Sequence, residues 1–74
     1  MNKKFRIVLG SPVDYEKLVA YIVVNGRYIA LLNQDLGQEN LKVEFLSVTE
    51  KNGVDLEIII EALGEAKRLL VSRR

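Results

Sequence analysis

An Asn-Gly pair at positions 25 and 26 constrains the fold of this chain more than any other feature of its sequence. It separates two runs rich in β-branched and aromatic residues, which read LVAYIVV and RYIALLN. Asn-Gly is the pair that best tolerates the positive φ angles of a two-residue type I′ turn. Segment 18–33 is therefore predicted to form a β-hairpin.

A two-residue turn also fixes the register of the hairpin. Val24 is expected opposite Arg27 and Val23 opposite Tyr28, and the pairing continues without interruption to Val19 opposite Leu32. Both faces of the hairpin are then largely apolar. One face would present Leu18, Ala20, Ile22, Val24, Ile29 and Leu31, and the other Val19, Tyr21, Val23, Tyr28, Ala30 and Leu32.

Two further segments alternate between apolar and charged residues, as half-buried strands do. The first covers residues 4–9 and is stopped by Gly10-Ser11-Pro12, after which residues 13–17 are expected to form a loop. The second covers residues 41–48 and follows a polar connection at 34–40. A turn is predicted at residues 49–53.

From Asp55 onward the apolar period changes from two to 3.6, which predicts a helix to about Val71. Asp55 suits the N-cap position, and Val54 with Ile59 has the spacing of a hydrophobic staple. Acidic residues early in the helix and basic residues near its end suit the helix dipole. The expected buried stripe is Leu56, Ile59, Leu63, Ala66 and Leu70.

These elements predict an α+β fold: a four-stranded antiparallel β-meander with one C-terminal helix packed on one face, in the order ββββα. We expect residues 1–74 to form a single domain. The chain has no Cys and no apolar run near the roughly 20 residues that a membrane-spanning helix needs. A cytoplasmic protein without a membrane partner is therefore expected.

An enzyme is not expected, because the chain lacks both His and Cys. Asp35 with Glu39 and Glu57 with Glu61 are paired carboxylates of the kind that serve acid–base or metal chemistry. Such pairs more commonly belong to a solvated acidic surface than to a reactive site. The glycines are scattered singly, so no phosphate-binding motif is present. We predict no catalytic residue, cofactor or metal.

The net charge of +1 conceals an uneven distribution. Residues 34–65 hold eight acids against two lysines, whereas both ends of the chain are basic. Nucleic-acid binding is one hypothesis, in which the terminal cations meet on one edge and Tyr21 and Tyr28 stack on bases. The acidic middle and a pI of about 8.0 argue against it. The cations concerned are Lys3, Lys4, Arg6, Lys67, Arg68, Arg73 and Arg74.

Protein binding is the hypothesis that the residues favour. One helix covers one face of a sheet, so Val19, Tyr21, Val23 and Tyr28 are expected to remain exposed as a contact face. A homodimer through this face would bury the same side chains. The alternative is that loop 10–17 or the N-terminus folds over the face.

The segment LVAYIVVNGRYIALLNQDLGQENLKVEF, followed by VDLEIIIEALGEAKRLL, resembles small bacterial immunity proteins of polymorphic-toxin and contact-dependent growth inhibition systems. The similarity covers residues 11–70. It implies a cytoplasmic protein that binds a cognate toxin domain and blocks its active site or access to it.

An acidic surface would suit an inhibitor of a toxin that is basic at its nucleic-acid site, because opposite charge speeds association. The acidic groups available for such a contact lie in the polar loop and on the helix. They are Asp35, Glu39, Glu57, Glu61 and Glu65.

Overall fold

A computed structural model describes residues 4–46 and 53–71 and contains the predicted elements in the predicted order. The strands are β1 (Phe5–Gly10), β2 (Val19–Val24), β3 (Arg27–Asn33) and β4 (Lys42–Phe45), and helix α1 spans Leu56–Val71. The strands form one antiparallel sheet in the order β1-β2-β3-β4. The ββββα fold class is therefore confirmed.

The hairpin turn has the predicted geometry. Asn25 has a φ of 54° and Gly26 a φ of 79°, the two consecutive positive values of a type I′ turn. The turn sets Val24 opposite Arg27 and Val23 opposite Tyr28, as expected.

Beyond those two pairs the predicted register is wrong by one residue. β3 contains a bulge at Ile29, where one extra residue enters the ladder. Because side chains alternate between faces, this residue transfers Ala30 and Leu32 to the helix side of the sheet. The observed pairs beyond the bulge are Ile22–Ala30, Tyr21–Leu31, Ala20–Leu32 and Val19–Asn33.

The core lies between the sheet and α1, where Ala62 and Ala66 bring the helix backbone close to the strands. Leu70 is fully buried at the end of the same stripe. The flanking apolar side chains are partly buried. The strand residues of this core are Ala20, Ile22, Val24, Ile29, Ala30 and Leu32, with Phe5, Ile7 and Leu9 of β1 packed against them.

Helix α1 begins where the sequence predicts. Asp55 occupies the N-cap position, and its carbonyl accepts a hydrogen bond of 3.1 Å from the Ile59 N–H. In the described parts of the chain α1 packs against β1, β2 and part of β3 but does not contact β4. The helix therefore lies toward one edge of the sheet.

The off-centre position of α1 corrects one prediction about its buried stripe. Leu56 is 68% exposed instead of buried. The stripe that faces the sheet is centred on Ala62 and Ala66, and Leu56 lies about 100° from that centre around the helix. The first residue of the predicted stripe thus belongs to the surface.

The predicted strand at 41–48 is shorter in the structure, where β4 ends at Phe45. Residues 47–52, which include the end of that predicted strand and most of the predicted turn, lie outside the described residues.

Candidate functional site

The sheet face opposite α1 is partly covered by loop 11–17. The Tyr15 hydroxyl donates a hydrogen bond of 2.7 Å to Oε1 of Glu44 on β4. The backbone N–H groups of Glu16 and Lys17 donate to the two carboxylate oxygens of Asp35, at 3.3 and 3.1 Å. These contacts hold the loop against the sheet face opposite α1. A loop folded over this face was the alternative to an exposed contact face in the sequence analysis.

This covering corrects the predicted exposed face. Val19 is fully buried and Val23 is 3% exposed. Tyr21 is half-buried, and only Tyr28, at 45%, is well exposed. The prediction that all four side chains are exposed is therefore wrong for the two valines, because this face carries loop 11–17 and two packed tyrosine rings instead of lying bare.

The rings of Tyr21 and Tyr28 pack edge to face and do not lie in one plane. Their ring centroids lie 5.4 Å apart at an interplanar angle of 80°. The Tyr21 ring also lies over Gly10, where an added Cβ would come within 3.0 Å of it. Edge-to-face packing of this kind stabilises the face and does not present the two rings as one flat stacking platform.

Glu44 is the polar centre of this face. Its Oε2 accepts a hydrogen bond from Asn33 Nδ2 while its Oε1 accepts the one from Tyr15. The hydrogen bond to Glu44, with smaller contributions from desolvation and from the charge of Glu44, raises the pKa of Tyr15 to about 12. The arrangement is structural and keeps Tyr15 protonated.

The five acidic residues proposed from the sequence occupy four different settings. Asp35 anchors loop 11–17, and Glu65 forms an ion pair of 2.6 Å with Arg68. Glu39 lines a shallow cavity of about 340 Å³ beside Lys67. Glu57 and Glu61 are exposed on α1 and form no hydrogen bond or ion pair within the described residues.

Those two glutamates stand beside exposed apolar side chains. Leu56 and Ile60, which are 68% and 54% exposed, form one row on α1, and Glu57 and Glu61 form the adjacent row. We call these four residues the helix ridge. It combines apolar area with negative charge at the N-terminal half of α1.

Sequence reasoning missed the apolar half of the helix ridge. Ile58, Ile59 and Ile60 are consecutive, and three residues of a helix span about 200° around its axis. One of the three must therefore point away from a single sheet. That run was the available signal for an exposed apolar residue in the first turns of α1.

The basic residues within 4–46 and 53–71 do not form one cluster. Lys4 and Arg6 line a cavity with Asn25 and Gly26 at the hairpin turn, beside which the helix begins. Lys67 lines the cavity at the opposite end of the sheet, with Gln38 and Glu39. The expected meeting of these cations is thus not found; Lys3, Arg73 and Arg74 lie outside the described residues.

No metal site is indicated, since residues 4–46 and 53–71 contain no cluster of three or more potential ligands among His, Cys, Asp and Glu. Among the same residues no helix is long and apolar enough to cross a membrane. Comparisons with protein-family models, curated proteins and solved structures give no match for this chain.

Proposed function

We propose that this chain is a protein-binding domain, and specifically an immunity protein that neutralises a cognate toxin domain by contact. The observation that supports the proposal is the helix ridge, in which Leu56 and Ile60 are solvent-exposed beside Glu57 and Glu61. The two side chains are neighbours on one helix face, and a contiguous exposed apolar patch on a small domain is typical of a contact site.

The composition of the ridge indicates the chemistry of the partner. The apolar row would be buried in an apolar groove, and the acidic row would meet basic groups at the rim of that groove. Opposite charge at a rim mainly raises the rate of association. A toxin domain with a basic nucleic-acid site would present such groups, and binding there would block access of its substrate.

Cell protection tests this proposal. Cells that express the product of the neighbouring open reading frame would be scored for survival with the wild-type chain or with Glu57→Lys/Glu61→Lys. We expect the wild type to protect and the double variant to lose protection. The matched control is Asp14→Lys/Glu16→Lys, which makes the same charge change at exposed positions of loop 11–17.

The control variant should protect as well as the wild type does. If the wild type gives no protection, the immunity function is wrong. If both double variants protect fully, the helix ridge is not the contact surface.

A further inference from the structure

We infer that two copies of this chain associate through β4, in antiparallel register about a two-fold axis at Val43. The inference is independent of the proposed toxin contact, because it concerns the edge of the sheet instead of the ridge on α1. It rests on the open edge, its hydrogen-bonding groups and the order of its charges.

β4 is an edge strand, and its side chains are exposed along its whole length. On the helix side Phe45 is 78% exposed and Val43 39%, since α1 does not reach this strand within the described residues. An edge that carries exposed apolar side chains favours pairing with another strand.

One contact between β4 and β3 shows which residues of β4 direct their backbone hydrogen-bonding groups away from the sheet. The Leu46 N–H donates to the Ile29 carbonyl at 3.0 Å, so Leu46 directs its backbone groups toward β3. In an antiparallel ladder this direction alternates from residue to residue. The N–H and C=O groups of Val43 and Phe45 consequently point outward, where a second strand would meet them.

The charges of β4 select one register for a second copy. With the axis at Val43, Lys42 of each copy lies opposite Glu44 of the other, and Leu41 lies opposite Phe45. The outward-pointing groups of Val43 then pair with those of Val43 in the second copy. Such self-complementarity is what a two-fold interface requires.

The neighbouring registers are unfavourable. An axis at Lys42 places two lysines opposite each other, and an axis at Glu44 places two glutamates opposite each other. Glu44 also forms no ion pair within residues 4–46 and 53–71, and its carboxylate has lone pairs beyond the two used by Tyr15 and Asn33. The lysine of a second copy would supply the missing cation.

A two-fold axis of this kind is perpendicular to the sheet, so both helices lie on the same face of one continuous sheet. The dimer would cover Val43 and Phe45 of each copy and leave the two helix ridges accessible. It would also remove the open edge at β4.

Sedimentation equilibrium of the full chain, up to about millimolar concentration, tests the inference. We expect the wild type to reach twice the mass of the chain. Val43→Pro should be monomeric, because it removes an outward N–H that the β3–β4 ladder does not use. The dissociation constant of the Lys42→Glu dimer should be at least about tenfold higher than that of the wild type, since symmetry places two like-charge pairs in the interface.

Mixing complementary variants gives the sharpest result. Lys42→Glu and Glu44→Lys should each be predominantly monomeric alone, and an equimolar mixture should form a heterodimer in which every charge is again opposed. Circular dichroism would verify that Val43→Pro and Lys42→Glu, which leave the Glu44 contacts intact, are folded. A monomeric wild type, or a dimer unaffected by Val43→Pro and Lys42→Glu, would overturn the inference.

Discussion

The Tyr15 hydroxyl donates a hydrogen bond to Glu44, a residue 29 positions further along the chain. It joins the loop between the first two strands to the last strand of the sheet. This contact holds loop 11–17 over part of the sheet face that the helix does not cover.

Raising the pH should weaken this contact in a defined window. The folded-state pKa of Tyr15 is about 12, above the ordinary value of 10.0. The stabilisation is therefore fully present below about pH 10 and is lost as the pH rises toward 12. Urea unfolding at increasing pH should show a steeper alkaline loss of stability for the wild type than for Tyr15→Phe. Equal slopes would mean that the hydrogen bond does not form in solution.

Removing the Asp35 carboxylate should release loop 11–17. Asp35→Ala leaves the N–H groups of Glu16 and Lys17 without their acceptor, so we expect a loss of about 1–2 kcal/mol in the free energy of unfolding. Glu39→Ala is the control, because Glu39 is exposed and should change stability by less than about 0.5 kcal/mol. Urea denaturation would compare them, and equal effects would contradict the anchoring role.

Alanine should have opposite effects at two glycines. Gly64 lies within α1 with open space around its missing Cβ, so Gly64→Ala should stabilise the fold by about 1 kcal/mol. Gly26 has equally open space but a φ of 79°, so Gly26→Ala should destabilise by about 1 kcal/mol through backbone strain. Thermal unfolding measures both, and a shift of the melting temperature in the same direction for both would mean that backbone conformation does not distinguish the two glycines.

The sequence predicted the elements because each carries a local signal. Turn chemistry at Asn25-Gly26 and the change of period at Asp55 are short-range properties that the structure reproduces. The bulge at Ile29 has no comparable signal, since an extra residue in a uniformly apolar strand leaves the pattern of hydrophobicity unchanged. One such residue was enough to exchange the faces of Ala30 and Leu32.

The candidate site was harder to predict, because exposure depends on where separate elements pack. Val19 and Val23 are buried on a face that loop 11–17 partly covers. The contacts that hold this loop, from Tyr15 to Glu44 and from Lys17 to Asp35, join residues 29 and 18 positions apart in the sequence. Leu56 is exposed because α1 lies over β1 and β2 instead of the centre of the sheet. Of the five proposed acidic residues, the structure leaves Glu57 and Glu61 in the setting that best suits a contact.

Ile60→Asp tests whether the helix ridge binds a protein partner and leaves the core undisturbed. Ile60 is 54% exposed, so the substitution should change the free energy of unfolding by no more than about 0.5 kcal/mol. Val13→Asp is the matched control, because Val13 is fully exposed on loop 11–17, away from the ridge.

Isothermal titration of the purified product of the neighbouring open reading frame into each chain is the most direct measurement. We predict saturable binding to the wild type and to Val13→Asp with equal affinity. Ile60→Asp should bind at least about tenfold more weakly, because it places a charge in an apolar contact. Absence of binding to the wild type, or equal affinity for all three chains, would show that the helix ridge is not the contact surface for this partner.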